Sequence, residues 1–91
     1  MYIPYNMNRK KRIESILSKN FINWKFTVID NSAQHSGHNN FDGNQETHFC
    51  IVITKPLGSN DNRISIHRKI YKLLKDDFQN GLHALEIKIA N

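Results

Sequence analysis

The chain has 91 residues, a single cysteine and a net charge of +5. This length supports one domain with a small core, and the lone cysteine excludes an internal disulfide and any site built only from cysteines of one chain. No apolar run of the sequence is long enough to span a membrane and its first residues are no secretory signal, so we expect a soluble protein of the reducing cytoplasm.

Residues 1–8 show no sustained periodicity, so we expect a flexible lead-in before a single domain over residues 9–91. The first helix opens with four cations, Arg9-Lys10-Lys11-Arg12, which oppose the helix dipole at that end. They are either a solvated end of the helix or a contact for an anion or an acidic partner. The apolar residues that follow have the spacing of a buried stripe: Ile13, Ile16, Leu17 and Phe21.

Two strands are predicted next, at residues 24–30 and 47–54, because apolar and polar side chains alternate in both. The predicted inward residues are Trp24, Phe26, Val28, Phe49, Ile51 and Ile53. Residues 31–46 join the strands and are almost all polar. A connection of this length is typical of a functional or disordered loop.

A long amphipathic helix follows, with Asn60, Asp61 or Asn62 as its N-cap and Gly81 as its C-terminal stop. Helical periodicity predicts a buried face made of Ile64, His67, Ile70, Tyr71, Leu74 and Phe78. Residues 82–89 are then predicted to form a closing strand, with His83, Leu85, Ile87 and Ile89 on one face.

The order of these elements predicts an α/β (α+β) fold, a single α-β-β-α-β domain whose three-stranded mixed sheet has the helices on one face. The first two strands form an antiparallel hairpin, and the crossover through the long helix makes the third strand parallel to the second. One end of the sheet therefore gathers the loop with His35 and His38, the strand start with His48 and the strand start with His83.

Imidazole is a common metal ligand and also binds one iron of Rieske-type clusters, so these converging histidines suggest a metal or cluster site. His83 and His35 are the principal candidates, with His38 as a substitute. Alternatively, His83 is a strand-end histidine whose ring is hydrogen-bonded to a backbone carbonyl, and His35 is a solvated loop residue. We interpret His48 and His67 as structural. Because two histidines cannot complete such a site, the other ligands must come from a partner molecule.

The chain resembles a BolA family protein along residues 12–89. The motifs that carry the resemblance are, in order, Asp30-Asn31-Ser32, His35-Ser36-Gly37-His38, Glu46-Thr47-His48-Phe49, His67-Arg68-Lys69-Ile70-Tyr71 and His83-Ala84-Leu85. The resemblance implies a class II KH-like domain and a role beside monothiol glutaredoxins in iron-sulfur cluster handling and iron homeostasis.

In such heterocomplexes a 2Fe-2S cluster is held by the glutaredoxin, a glutathione and two residues of the BolA-like chain. The resemblance matches these two residues to His35 and His83, and no cofactor is expected in the isolated chain. No nucleophile lies in a recognisable motif and the acidic residues are scattered along the sequence, so we expect no enzymatic activity. We also expect a monomer or weak homodimer when the chain is alone.

Duplex DNA is the alternative partner, through phosphate contacts of the polar face of the long helix with Arg68, Lys69, Lys72 and Lys75. Relatives often carry an arginine before the His-Arg pair of this helix, where this chain has Ile66. We expect this replacement to remove one cation from the DNA-facing surface.

Overall fold

The computed structural model describes residues 8–32 and 46–91. Its elements, in chain order, are α1 (Arg9–Asn20), β1 (Lys25–Asp30), β2 (His48–Thr54), α2 (Arg63–Leu73), α3 (Lys75–Gln79) and β3 (Ala84–Ala90). The sheet has the order β1-β2-β3, with β1 antiparallel and β3 parallel to β2. The predicted fold, a mixed α+β domain with a three-stranded mixed sheet, is confirmed.

The sheet buries one face against the helices. Strand alternation turns Val28, Phe49, Ile51 and Ile53 toward the core, while the intervening residues of β1 and β3 are exposed. The helices and the turn before β3 complete the core with Ile13, Leu17, Phe21, Ile66, Ile70, Leu74 and Leu82. The strand faces predicted from alternation are therefore confirmed.

Side chains cap both long helices at their starts. The Asn8 Oδ1 accepts a hydrogen bond of 2.9 Å from the Lys11 amide at α1, and the Asn62 Oδ1 accepts one of 2.8 Å from the Ser65 amide at α2. Of the three N-caps proposed for the long helix, Asn62 is the one used. Gly81 follows α3 with φ of 117°, a left-handed conformation that favours glycine.

The long helix differs from its prediction in two ways. It divides at Leu74 into α2 and α3, and its buried face is rotated relative to the predicted one. Ile66 is 2% exposed, whereas Ile64 is 63% exposed and Tyr71 is also exposed. The buried stripe runs through Ile66, Ile70 and Leu74 at a spacing of four residues, and His67 is only half-buried.

The physical reason is that apolar residues cover about half of the circumference of this helix, which is wider than the stripe that packs, so periodicity alone cannot select the buried arc. The prediction for His67 as a core imidazole is wrong. The prediction that Ile66 replaces a surface cation is also wrong, because this position lies in the core. Among the described residues, no helix is both long enough and apolar enough to cross a membrane.

Candidate functional site

His83 lies on the turn that leads into β3, with its side chain exposed. Its backbone is fixed to the start of β2, because the Thr47 carbonyl accepts hydrogen bonds from the amides of His83, at 2.8 Å, and Ala84, at 3.1 Å. These bonds begin the parallel β2–β3 pairing, in which His48 is opposite Ala84. The position of His83 is therefore set by the sheet, while its imidazole is available at the sheet end.

His48, the first residue of β2, brings a second imidazole to this end. Its ring centroid lies 6.3 Å from that of His83, with an angle of 41° between the ring planes. The His48 Nδ1 and the Thr47 hydroxyl share a hydrogen bond of 2.8 Å, which orients the ring. The order of the elements predicts both strand starts at this end of the sheet, and a hydrogen-bonded ring is consistent with the structural role predicted for His48.

Both ends of the polar connection between β1 and β2 lie next to this pair. The hydroxyl oxygen of the buried Ser32 accepts hydrogen bonds from the amides of Thr47, at 2.8 Å, and His48, at 3.2 Å. Asp30 accepts from the Ser32 amide at 2.9 Å. Residues 32 and 46, the described residues on either side of the connection, therefore both lie beside the start of β2. His35 and His38 lie outside the described residues.

The basic start of α1 contacts acidic groups of the same chain. Asp77, 2% exposed, accepts from Arg9 Nε at 3.2 Å and from Arg12. Arg9 also donates to the carbonyl oxygens of Glu46, at 2.5 Å, and Asn80, at 2.7 Å. Arg9 and Arg12 thus form ion pairs within the chain, which is neither the solvated helix end nor the contact with an acidic partner that the sequence suggested.

The described residues offer imidazole nitrogen but no complete metal site, since no group of three His, Cys, Asp or Glu side chains within them could hold an ion. Cys50 is buried in β2, and burial, together with the negative charge of Glu86, raises the pKa of its thiol. Its protonated form is a poor ligand. The donor chemistry near His83 therefore fits a shared site, completed by ligands from other segments or molecules.

The cations considered for DNA contact are all exposed on α2 and α3, but they differ in their contacts with the rest of the chain. The Lys69 ammonium donates to the Asn20 carbonyl at 3.0 Å and lies 4.6 Å from the centroid of the Phe21 ring. Lys69 therefore links α2 to the end of α1. Arg68, Lys72 and Lys75 are exposed, and Arg63, which sequence reasoning missed, lines a shallow recess with Ile64, His67 and Arg68.

Comparison with known proteins gives a consistent result. Residues 17–91 match the family model described as BolA-like protein. The chain is 41% identical over 86 residues to the UV-induced protein uvi31 of Schizosaccharomyces pombe, with 91% of this chain and 84% of that protein covered. It is 30% identical to the DNA-binding transcriptional regulator BolA of Haemophilus influenzae, with 91% and 77% covered. The solved structure of BolA1 from Arabidopsis thaliana superposes with a TM-score of 0.72 at 32% identity, with 92% of each chain covered.

Proposed function

The chain belongs to the BolA family, and on this premise we propose that it is a non-enzymatic adaptor of the cytoplasm that holds a 2Fe-2S cluster jointly with a monothiol glutaredoxin and glutathione. Its role is in iron-sulfur cluster handling and iron homeostasis. His83 supplies one imidazole ligand. The second comes from the loop, from His35 or, as its substitute, His38.

The observation that supports this proposal is the backbone bonding around Thr47. Its carbonyl accepts from the His83 amide, and its own amide donates to Ser32 at the other end of the loop. Ser32 is thus bonded to Thr47 and Glu46 precedes it in the chain, so the described residues on both sides of the loop adjoin the residue that bonds the His83 amide. Thirteen residues anchored so closely can return a side chain to this position.

The exposure of His83 supports a ligand shared between molecules. An exposed imidazole at the end of a sheet can bind iron without moving core residues, and its neutral form is the one that coordinates. The cluster supplies iron sites whose other ligands are thiolates from the glutaredoxin and glutathione. With the Cys50 thiol buried and protonated, the chain itself adds nitrogen ligands only.

The test is reconstitution of the chain with a monothiol glutaredoxin, glutathione, iron and sulfide, followed by visible absorption and circular dichroism. We expect His83→Ala to alter the spectrum of the heterocomplex. His67→Ala is the matched control, since it removes a histidine from α2 and should leave the spectrum unchanged. Identical spectra for wild type and His83→Ala would remove His83 from the site.

A second candidate function is binding of duplex DNA through α2 and α3. It is supported by the exposure of Arg68, Lys72 and Lys75 and by the similarity to the DNA-binding transcriptional regulator of Haemophilus influenzae. Cations grouped in this way attract phosphate by releasing counterions. This surface does not use His83, so the two functions are compatible in one molecule, which we expect to be a monomer or weak homodimer when alone.

A further inference from the structure

We infer that Arg9 is a positioning residue for His83: its guanidinium holds the approach to β2 and the turn before β3 in one arrangement and so fixes where the His83 imidazole is presented. The inference rests on the proposed function, in which that imidazole binds the cluster. Arg9 touches neither His83 nor the cluster, and acts through the backbone.

The bonds of Arg9 join segments that are far apart in sequence. One guanidinium nitrogen donates to the Glu46 carbonyl at 2.5 Å and another to the Asn80 carbonyl at 2.7 Å, while Nε lies 3.2 Å from Asp77. The Arg9 backbone amide donates in addition to the Glu46 carboxylate at 2.5 Å. Because a guanidinium is planar and rigid, the two carbonyls are held at a fixed separation.

One of these carbonyls belongs to a residue in an unfavourable backbone conformation, and the other belongs to the turn before β3. Glu46 has φ of 72°, a left-handed conformation that is unfavourable for a residue with a side chain and persists only where its surroundings enforce it. Asn80 precedes Gly81, which also has a positive φ, and His83 follows Gly81 by two residues. Arg9 contacts the backbone on both sides of the Thr47–His83 hydrogen bond.

Arg12 provides a matched comparison. It shares the Asp77 carboxylate with Arg9, but the structure gives it no bond to the Glu46 or Asn80 carbonyl. Loss of either arginine weakens the ion pair with Asp77. Only loss of Arg9 removes the side-chain bonds to the two backbone carbonyls.

The experiment compares Arg9→Lys with Arg12→Lys in the full chain, first without a partner. Lysine keeps the charge but cannot bond both carbonyls in one plane. We expect Arg9→Lys to shift the His83 ring resonances and to speed exchange of the His83 amide about tenfold relative to the central β2 amide of Ile51. Arg12→Lys should leave both unchanged. Should Arg9→Lys fail to fold, Arg9→Gln takes its place in the same comparison.

The second measurement is the circular dichroism of the cluster-loaded heterocomplex, which should change with Arg9→Lys and not with Arg12→Lys. If the two variants affect His83 equally, Arg9 contributes to stability alone and the inference is overturned. If the effects without a partner appear as expected but wild type takes up no cluster with a glutaredoxin, the proposed function fails while the positioning role of Arg9 stands.

Discussion

The imidazole rings of His48 and His83 lie 6.3 Å apart between centroids, at the starts of two parallel strands. Neither residue is near the other in sequence, and the contact follows from the pairing of His48 with Ala84. Parallel pairing requires a crossover connection, here α2 and α3, and this crossover brings the strand starts to the same end of the sheet. The pair therefore depends on the topology of the fold.

Asp77 is the buried acidic group on which the arginines of α1 converge. Asp77→Asn should lower the free energy of unfolding by about 2–3 kcal/mol, since it leaves two partly buried guanidinium groups without their carboxylate. Chemical denaturation measures this change. Asp76→Asn is the control, because the neighbouring carboxylate is exposed and its replacement should change stability by less than about 0.5 kcal/mol. Equal effects of the two variants would contradict the buried ion pair.

The rotation of α2 gives a second prediction. Ile66→Ala should reduce the free energy of unfolding by about 2–4 kcal/mol, because it opens a cavity in the core. Ile64→Ala, two residues earlier on the same helix, should cost less than about 0.5 kcal/mol because Ile64 is exposed. Denaturant titration of both variants measures these changes in unfolding free energy. If the face that periodicity predicts were the buried one, Ile64→Ala would be the more destabilising of the two.

Cys50 gives a prediction for alkaline pH. Burial first, and then the negative charge of Glu86, raise the pKa of its thiol above the ordinary value of 9.0. The unfolded thiol thus ionises at a lower pH than the folded one, so its contribution to stability is complete below pH 9.0 and is lost as pH rises through the raised pKa. The difference in unfolding free energy between wild type and Cys50→Ala should be constant near neutral pH and fall above this value. A flat difference would contradict the burial of the thiol.

The contacts of Lys69 within the chain distinguish it from the other cations that are proposed to bind DNA. Lys72→Ala should weaken binding of duplex DNA and reduce its salt dependence by about one released counterion. Lys69→Ala should affect binding less, because its ammonium is bonded to the Asn20 carbonyl and lies against the Phe21 ring. Salt titrations of binding measure both. Failure of the wild type to bind duplex DNA at low salt would end this candidate function.

The sequence predicted the sheet well because its signals are local or topological. Alternation at Phe49, Ile51 and Ile53 identifies a buried strand face, and the order of elements dictates that β3 is parallel to β2. The same reasoning placed His83 at the loop end of the sheet.

What the sequence could not predict depends on tertiary partners. The arc of α2 that packs is selected by the sheet and by α1, and the burial of Asp77 is tolerated only because Arg9 and Arg12, more than sixty residues away in sequence, neutralise it. The loop ligand remains a prediction, since His35 and His38 lie outside the described residues.

The most direct test of the shared cluster site is an NMR titration of the isotopically labelled chain with a monothiol glutaredoxin, once as apoprotein and once loaded with a 2Fe-2S cluster. Shifts or line broadening at His83 and at His35 or His38 should appear only with the cluster-loaded partner. Equal changes at His83 with both forms, or no change there with either, would contradict the proposal that this imidazole binds the cluster.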